Sequence, residues 1–301
     1  MTGRALFAGD VSFDTTMRVD RIPGPDEKVH VDSLSEAPGG VIANAAVAAC
    51  RAGAAVRALL HFGDDLASRA APSLLTERGL ELDISTGRGA LCRCVIIIDR
   101  SGEKRLLLHP GVSMYPTAEQ AQRAPLAGAG WMHTAIYDPL AASILIARCR
   151  ELSIPFSIDL EPATLVHGIE SLAGHIEGAA VVFCNVRSAA ILGADAVPRL
   201  EKLGAKAIVL TQGPAGATWH SAGHSFSVSA PAVSVIDTTG AGDCLAGWFI
   251  AETLRGKGSG PALCAAVAAA SWSCARIGAQ DSFPCRDDIV LLLEHAEAES
   301  I

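Results

Sequence analysis

The run Ser234-Val235-Ile236-Asp237-Thr238-Thr239-Gly240-Ala241-Gly242-Asp243 sets a glycine-rich turn and a carboxylate in front of Cys244-Leu245-Ala246-Gly247-Trp248-Phe249-Ile250. Leu245, Trp248 and Phe249 fall at helical spacing, which predicts a helix beginning near Gly242. Val233, Val235 and Ile236 read as the end of a buried strand before it. The first amides of a helix lack internal partners and lie at the positive end of its dipole, so such a turn binds anions, phosphates above all. Asp243 conflicts with that role, because a carboxylate repels an incoming phosphate. A carboxylate that takes the proton of an attacking hydroxyl belongs at that position. The run points to phosphoryl transfer to an alcohol; the plainer reading is a strand-to-helix turn whose acidic residue is favoured by the dipole alone.

A second constellation lies near the start of the chain. Ala8-Gly9-Asp10-Val11-Ser12-Phe13-Asp14 follows the first predicted strand, and Pro38-Gly39-Gly40-Val41-Ile42-Ala43-Asn44 leads into a predicted helix. Paired glycines let a ligand approach the backbone. Asp14 and Asn44 can hydrogen-bond hydroxyls, which sugars offer in pairs. Taken singly, each piece is also an ordinary turn or helix end.

These residues need a scaffold. The 301-residue chain is half hydrophobic, enough for one large α/β domain or two smaller ones, and its formal net charge is −8. That balance argues against nucleic acid or an anionic membrane as a partner. The nine cysteines are scattered, with neither Cys-x-x-Cys pairs nor neighbouring histidines to suggest zinc, and read as core residues in a reducing cytoplasm. Met1 to Phe7 lacks the apolar length of a signal peptide, and Pro261 to Ala275 is too short to span a membrane. A cytoplasmic location is expected.

Short apolar runs at Ala5–Ala8, Val56–Leu60, Ile154–Ile158, Ala180–Phe183 and Ala207–Leu210 alternate with helix candidates such as Ile42–Ala52, Pro139–Leu152 and Pro198–Lys202. Alternation of this kind predicts a doubly wound, mainly parallel α/β sheet with helices on both faces, whose ligands bind beyond the carboxyl ends of the strands. Two stretches, about 15–36 and 91–109, break the pattern. The second contains Leu91–Ile98 and Arg105–Leu108 around a predicted hairpin turn, Asp99 to Lys104. Together they predict a small antiparallel sheet, either a lid over a site or an edge extension of the core. An apolar face on such a sheet would also pair two copies as a homodimer. The chain otherwise reads as a single unit, 1–301.

Asp237-Thr238-Thr239-Gly240-Ala241-Gly242-Asp243 resembles the C-terminal signature of the ribokinase-like carbohydrate kinases, the PfkB family. Gly39, Gly40 and Asn44 match the N-terminal signature, Asp14 matches the family's first-strand aspartate, and Gly63-Asp64-Asp65 fits its Gly-Asp-Asp step. Thr211-Gln212-Gly213-Pro214-Ala215-Gly216 is similar to its nucleotide loop. The likeness runs from Gly9 to Pro284. It implies an ATP- and Mg2+-dependent sugar kinase, of ketose or pentose type. Asp243 would be the base, and the amides of Ala241, Gly242 and Asp243 after Gly240 an anion hole. Ser12, Asp14, Gly39, Gly40 and Asn44 would hold the sugar, and Asn185, Thr211, Gly213 and Gly216 the nucleotide. Ala265 to Ala270 with Cys274 would form the adenine wall. Asp237, Ser273, Gly278 and Ser282 resemble positions of a potassium site.

The match departs at two points. The family's Asn-x-x-Glu, whose Glu organises Mg2+ through water, is here Asn185-Val186-Arg187-Ser188, and Ser188 carries no carboxylate. The middle strand, Trp131 to Ala135, lacks the acidic residue often found after it, which leaves the sugar open. Lys28 is a candidate for an anionic group on the substrate. Two other readings remain: a nucleoside kinase, for which Phe13 and Met17 are the nearby base clamps, and a non-catalytic sugar- or nucleotide-binding protein on the same scaffold.

Overall fold

The computed structural model describes residues 3–100, 104–290 and 292. Its main sheet begins with β1 (Arg4–Gly9), which lies centrally, buried on both faces. The chain leaves it for β2 (Ser12–Val19) and β3 (Val31–Gly39), then returns through α1 (Val41–Arg51) to β4 (Val56–Phe62), and through α2 (Leu66–Glu77) to β5 (Glu81–Thr86). A second excursion supplies β6 (Cys92–Ile98) and β7 (Lys104–His109). Next come α3 (Ala118–Arg123), β8 (Ala129–Ala135), α4 (Pro139–Glu151), β9 (Phe156–Leu160), α5 (Ala173–Ile176) and β10 (Val181–Asn185). The chain ends with α6 (Val186–Leu192), α7 (Ala196–Lys202), β11 (Ile208–Thr211), β12 (Ala217–Ser221), β13 (His224–Val228), α8 (Ala241–Leu254) and α9 (Ser259–Cys274).

Among the described residues nine strands form the main sheet in the order β13-β12-β11-β10-β9-β8-β1-β4-β5, parallel except for β12 and β13. The five predicted parallel strands, and the helices predicted between them, fall within a few residues of these elements. One apolar core, under α1, α2, α8 and α9, fills one face, and a second, under α3 to α7, fills the other. The helices thereby cover both faces of a sheet whose strands read as continuous apolar runs.

The strands of the two deviant stretches form a separate sheet, β3-β2-β6-β7, and do not extend the core sheet. It is mixed, because β2 and β6 run parallel. Burial alternates along β6, with Cys92, Cys94, Ile96 and Ile98 inward and Arg93, Val95 and Ile97 half-exposed. The predicted turn Asp99–Lys104 includes residues 101–103, which lie outside the described residues; Lys104 opens β7 and pairs with Ile98. The base of this sheet is tied to the body at Ser113, whose Oγ accepts from the Cys92 amide (2.7 Å) and donates to the Val11 carbonyl (2.7 Å).

The strand expected over Val233 to Ile236 is absent. The segment is extended but unpaired, Val235 and Ile236 are more than half exposed, and the Ile236 and Asp237 amides bond the Cys274 carbonyl at the end of α9. Its β-branched residues pack along a cleft instead of in a ladder.

Candidate active site

Helices α1 and α8 meet at the C-terminal ends of the central strands, where crossing points of doubly wound sheets bind ligands. Their approach is unusually close. A Cβ on Gly247 would lie 2.3 Å from the Ala45 carbonyl oxygen and 2.8 Å from the Ala48 Cβ. With only alanines facing it on α1, Gly247 lets the two helices nearly touch, and side chains one turn away come within bonding reach. Asn44 Nδ2 donates to Asp243 Oδ2 at 2.8 Å, and Asn44 Oδ1 accepts from Gln280 Nε2 at 2.9 Å. The Asn44 amide is thus fixed at both ends.

Asp243 occupies the first turn of α8. Gly240 caps that helix in the left-handed region (φ 75°), and a Cβ there would also press on Ala279 and Phe283 at about 3 Å. The Ala241 amide is turned to the Thr238 carbonyl at 3.4 Å. Of the three expected anion-hole amides, Gly242 and Asp243 are therefore the ones left without a backbone acceptor among the described residues. Burial pushes the Asp243 carboxyl well above the usual carboxylate range; the Asn44 amide opposes this, while Glu161, Asp10 and Asp14 add to it.

Asp14 stands on β2, in the small sheet, and not on the first strand. Its Oδ1 accepts from Ser12 Oγ at 2.6 Å, and burial raises its pKa against that bond. A Cβ on Gly39 would lie 2.1 Å from Asp14 Oδ2, so that glycine makes room for the carboxylate. Gly40, at φ 102°, passes against the Asp10 carbonyl and Val11, where no side chain fits. Asp10 was not singled out from sequence. It accepts from the Val41 and Ile42 amides (2.8 and 3.0 Å) and so ties the first turn of α1 to the end of β1, with its pKa raised to about 6 by burial.

Two more acids lie at the carboxyl end of β9, Asp159 within the strand and Glu161 just after it. Asp159, only 8% exposed, is flanked by the carboxyls Glu161, Asp243 and Asp10 and faces no hydrogen-bond donor among the described residues; burial first, then those charges, push it well up. Glu161 is raised to about 6, with Arg187 as its compensating charge. Asp159-Leu160-Glu161 directly follows the apolar run Ile154–Ile158, which was the signal available in the sequence. Gln280 and Lys104 had none.

Of the residues expected at the nucleotide, Asn185 and Thr211 pair across β10 and β11. Asn185 caps α6, its Oδ1 accepting from the Arg187 and Ser188 amides (3.0 and 2.9 Å). Ser188 is fully buried and donates to the Leu160 carbonyl at 2.6 Å, so it faces the β9 end. Gly213 and Gly216, with Val235, Val267, Ala270 and Cys274, line a largely apolar cavity of about 390 Å³ that reaches Thr238 and Ala241. The expected Ala265–Ala270 wall is reduced to Val267 and Ala270, continued by Ser271; Ala265, Ala266, Ala268 and Ala269 are core. Lys28 is exposed on the small sheet's β2–β3 connection. The potassium-like residues do not surround a vacancy, because Lys104 Nζ donates to Asp237 Oδ1 at 2.5 Å and to Thr239 Oγ1 at 2.7 Å. Ser282 Oγ donates to the Ala279 carbonyl at 2.7 Å and Ser273 Oγ to the Ala270 carbonyl at 2.8 Å. Among the described residues no group of three His, Cys, Asp or Glu is placed to hold a metal ion, and no helix is long and apolar enough to cross a membrane.

A doubly wound sheet, a small sheet at its carboxyl edge and an aspartate at a helix N-terminus define the ribokinase class of fold. Comparison with known proteins agrees. The fold is that of the Thermotoga maritima ribokinase (TM-score 0.85, 22% identity, covering 97% of this chain and 98% of that one). It is also that of an Arabidopsis thaliana ribokinase complexed with ribose and ATP (TM-score 0.81, 21% identity, 98% and 99%). In sequence, the chain is 30% identical over 300 residues to an ATP-dependent ribose-1-phosphate kinase of Halopiger xanaduensis, covering 96% of this chain and 98% of that protein. It is 26% identical to a Haemophilus influenzae ribokinase, with 96% and 97% covered. Residues 4–286 match the model of the pfkB family carbohydrate kinases, and the chain belongs to that family. It is an ATP-dependent sugar kinase, a phosphotransferase with an alcohol group as acceptor.

Proposed function

We propose that the chain transfers the γ-phosphate of ATP to a hydroxyl of a ribose-type sugar, with Asp243 as general base. The observation that carries this is the placement of Asp243, fixed by Asn44 beside the unpaired Gly242 and Asp243 amides. A base must sit within hydrogen-bond reach of the proton it takes, and donors must face the charge that develops on the transferring group; this turn offers both. Phosphoryl transfer depends mainly on such positioning and electrostatics.

Asp14, with Ser12 behind it, would anchor sugar hydroxyls over Gly39 and Gly40. Asn44, its carbonyl taken by Gln280, acts chiefly as the residue that orients Asp243. ATP would lie with its base in the cavity beside Gly213, Gly216 and Cys274 and its phosphates toward Asn185, Thr211 and the α8 turn. Mg2+, arriving with ATP, suits the donor-less carboxyls: Asp159 and Glu161 would hold its water shell, in place of the missing carboxylate at 188, and the ion would supply charge neutralisation of the phosphates.

The small sheet, residues of 12–39 and 92–109, is read as a lid on one kinase unit. Register places Met17, Leu34, Val95, Ile97 and Leu107 on its outer face, where Leu34 and Leu107 are more than half exposed. An apolar face of this kind supports a homodimer through the lid.

ADP release across pentoses, ketoses, pentose phosphates and nucleosides tests the assignment, with ribose or a ribose phosphate expected as best acceptor. Activity confined to nucleosides would replace it. A phosphorylated pentose as acceptor is favoured by Arg18, on the same face of β2 as Asp14, whose buried Nη2 has no hydrogen-bond partner; Arg18→Met would then raise KM for the phosphorylated sugar alone.

A further inference from the structure

Resemblance to ribokinase-like kinases leads one to expect a monovalent cation against Asp237, and the residues present do not fit one. An ionised carboxylate offers about four lone-pair sites. Asp237 already accepts from four donors: Oδ1 from the Thr239 amide (3.0 Å), Thr239 Oγ1 (2.7 Å) and Lys104 Nζ (2.5 Å), and Oδ2 from the Gly278 amide (2.9 Å). The ammonium in turn has three protons and three acceptors, Asp237 Oδ1, Thr239 Oγ1 and Thr238 Oγ1 (3.3 Å). Burial works against the Asp237 charge, whose side chain is 2% exposed, but Lys104, Thr239 and Gly278 outweigh it and hold the carboxyl down at about 2. Positive charge already sits where a potassium ion would pair with this aspartate.

We propose that Lys104 is a built-in counter-cation for the Asp237–Thr239 turn, so that the enzyme needs no monovalent cation. Lys104 opens β7 of the small sheet, whereas Asp237 to Thr239 lead directly into Gly240 and the α8 amides. The lid's own charge therefore fixes the backbone that presents the anion hole. A free ion would leave lid position and turn geometry independent; a lysine joins them. This inference rests on the α8 turn being the phosphate site.

The test is the rate of ADP release and the melting temperature of wild type, Lys104→Met and Lys104→Arg across a potassium chloride titration, with tetramethylammonium chloride holding ionic strength constant. Wild type and Lys104→Arg are expected to show a flat rate and a flat melting temperature. Lys104→Met should lose about 10- to 100-fold in kcat/KM for ATP without potassium, the loss of one charge-assisted bond network. Potassium should restore much of that rate and raise its melting temperature. Strong potassium activation of wild type would overturn the proposal, as would a Lys104→Met variant unaffected without potassium. So would a Lys104→Met variant that is slow and not rescued, since Lys104 would then act on the phosphates themselves. If no acceptor yields ADP in wild type, the kinase reading fails, while the melting-temperature pattern still tests the cation.

Discussion

Asn44 and Asp243, separated by 199 residues, meet across the α1–α8 contact with Asn44 Nδ2 2.8 Å from Asp243 Oδ2. Burial alone would keep the Asp243 carboxyl protonated well beyond the ordinary range, and the Asn44 amide is the neighbour that favours its charged form. Replacing Asn44 by Ala should therefore lower kcat about 10- to 100-fold, the range for losing a hydrogen bond to a charged group. It should also move the acidic limb of the kcat/KM profile to higher pH, because the base must be deprotonated to act. An unshifted limb would show that Asn44 does not tune Asp243.

That contact depends on Gly247. Gly247→Ala would place a methyl group against the Ala45 carbonyl and force α1 and α8 apart. Overpacking of this kind costs about 1–3 kcal/mol, and the Asn44–Asp243 bond should lengthen with it. Calorimetry and kcat together check this: both are expected to fall, with KM for the sugar less affected.

Gly39→Ala separates sugar binding from base function. The backbone of Gly39 is not in the left-handed region, so the added Cβ acts only by displacing the Asp14 carboxylate. KM for the sugar should rise about tenfold or more, as for other losses of a bond to a charged group, with KM for ATP unchanged. Isothermal titration with each ligand separates the two.

The acid cluster predicts an unusual pH dependence of stability. Glu161 and Asp10 have folded-state pKa values raised to about 6, so the folded protein holds protons that the unfolded chain releases above the ordinary carboxyl range. Their contribution is fully present below the unfolded values and is lost as pH rises through about 6. The ligand-free protein should melt at lower temperature at pH 7.5 than at pH 5, and Glu161→Gln should flatten that difference. A melting temperature that is constant across this window in wild type would contradict the assignment.

Much of this was legible in the sequence, for identifiable reasons. Parallel strands buried on both faces write themselves as apolar runs, so β1, β4, β9, β10 and β11 were readable, and the glycine-rich turn before α8 announced a helix N-terminus. The run over Val233 to Ile236 misled because β-branched residues lining a cleft look like a strand. Lys104 was read as part of a hairpin turn because its partner, Asp237, is 133 residues away and on another sheet's side of the cleft. Gln280 and the Gly247 contact were hidden for the same reason: only the packing of α1 on α8 gives them meaning. Asp159 and Glu161 were missed because an acid closing an apolar strand carries no motif of its own; only the packing that brings Asp10 and Asp243 beside them makes a cluster.

Asp243, as the proposed base, is the residue whose loss should stop chemistry without stopping binding. The direct measurement is single-turnover ADP formation by Asp243→Asn, with equilibrium binding of ATP and sugar measured on the same preparation. Near-normal binding of both ligands is expected, with a chemical step slowed at least ~100-fold, the scale of a lost general base. A variant that binds both ligands and turns over at close to the wild-type rate would contradict that assignment.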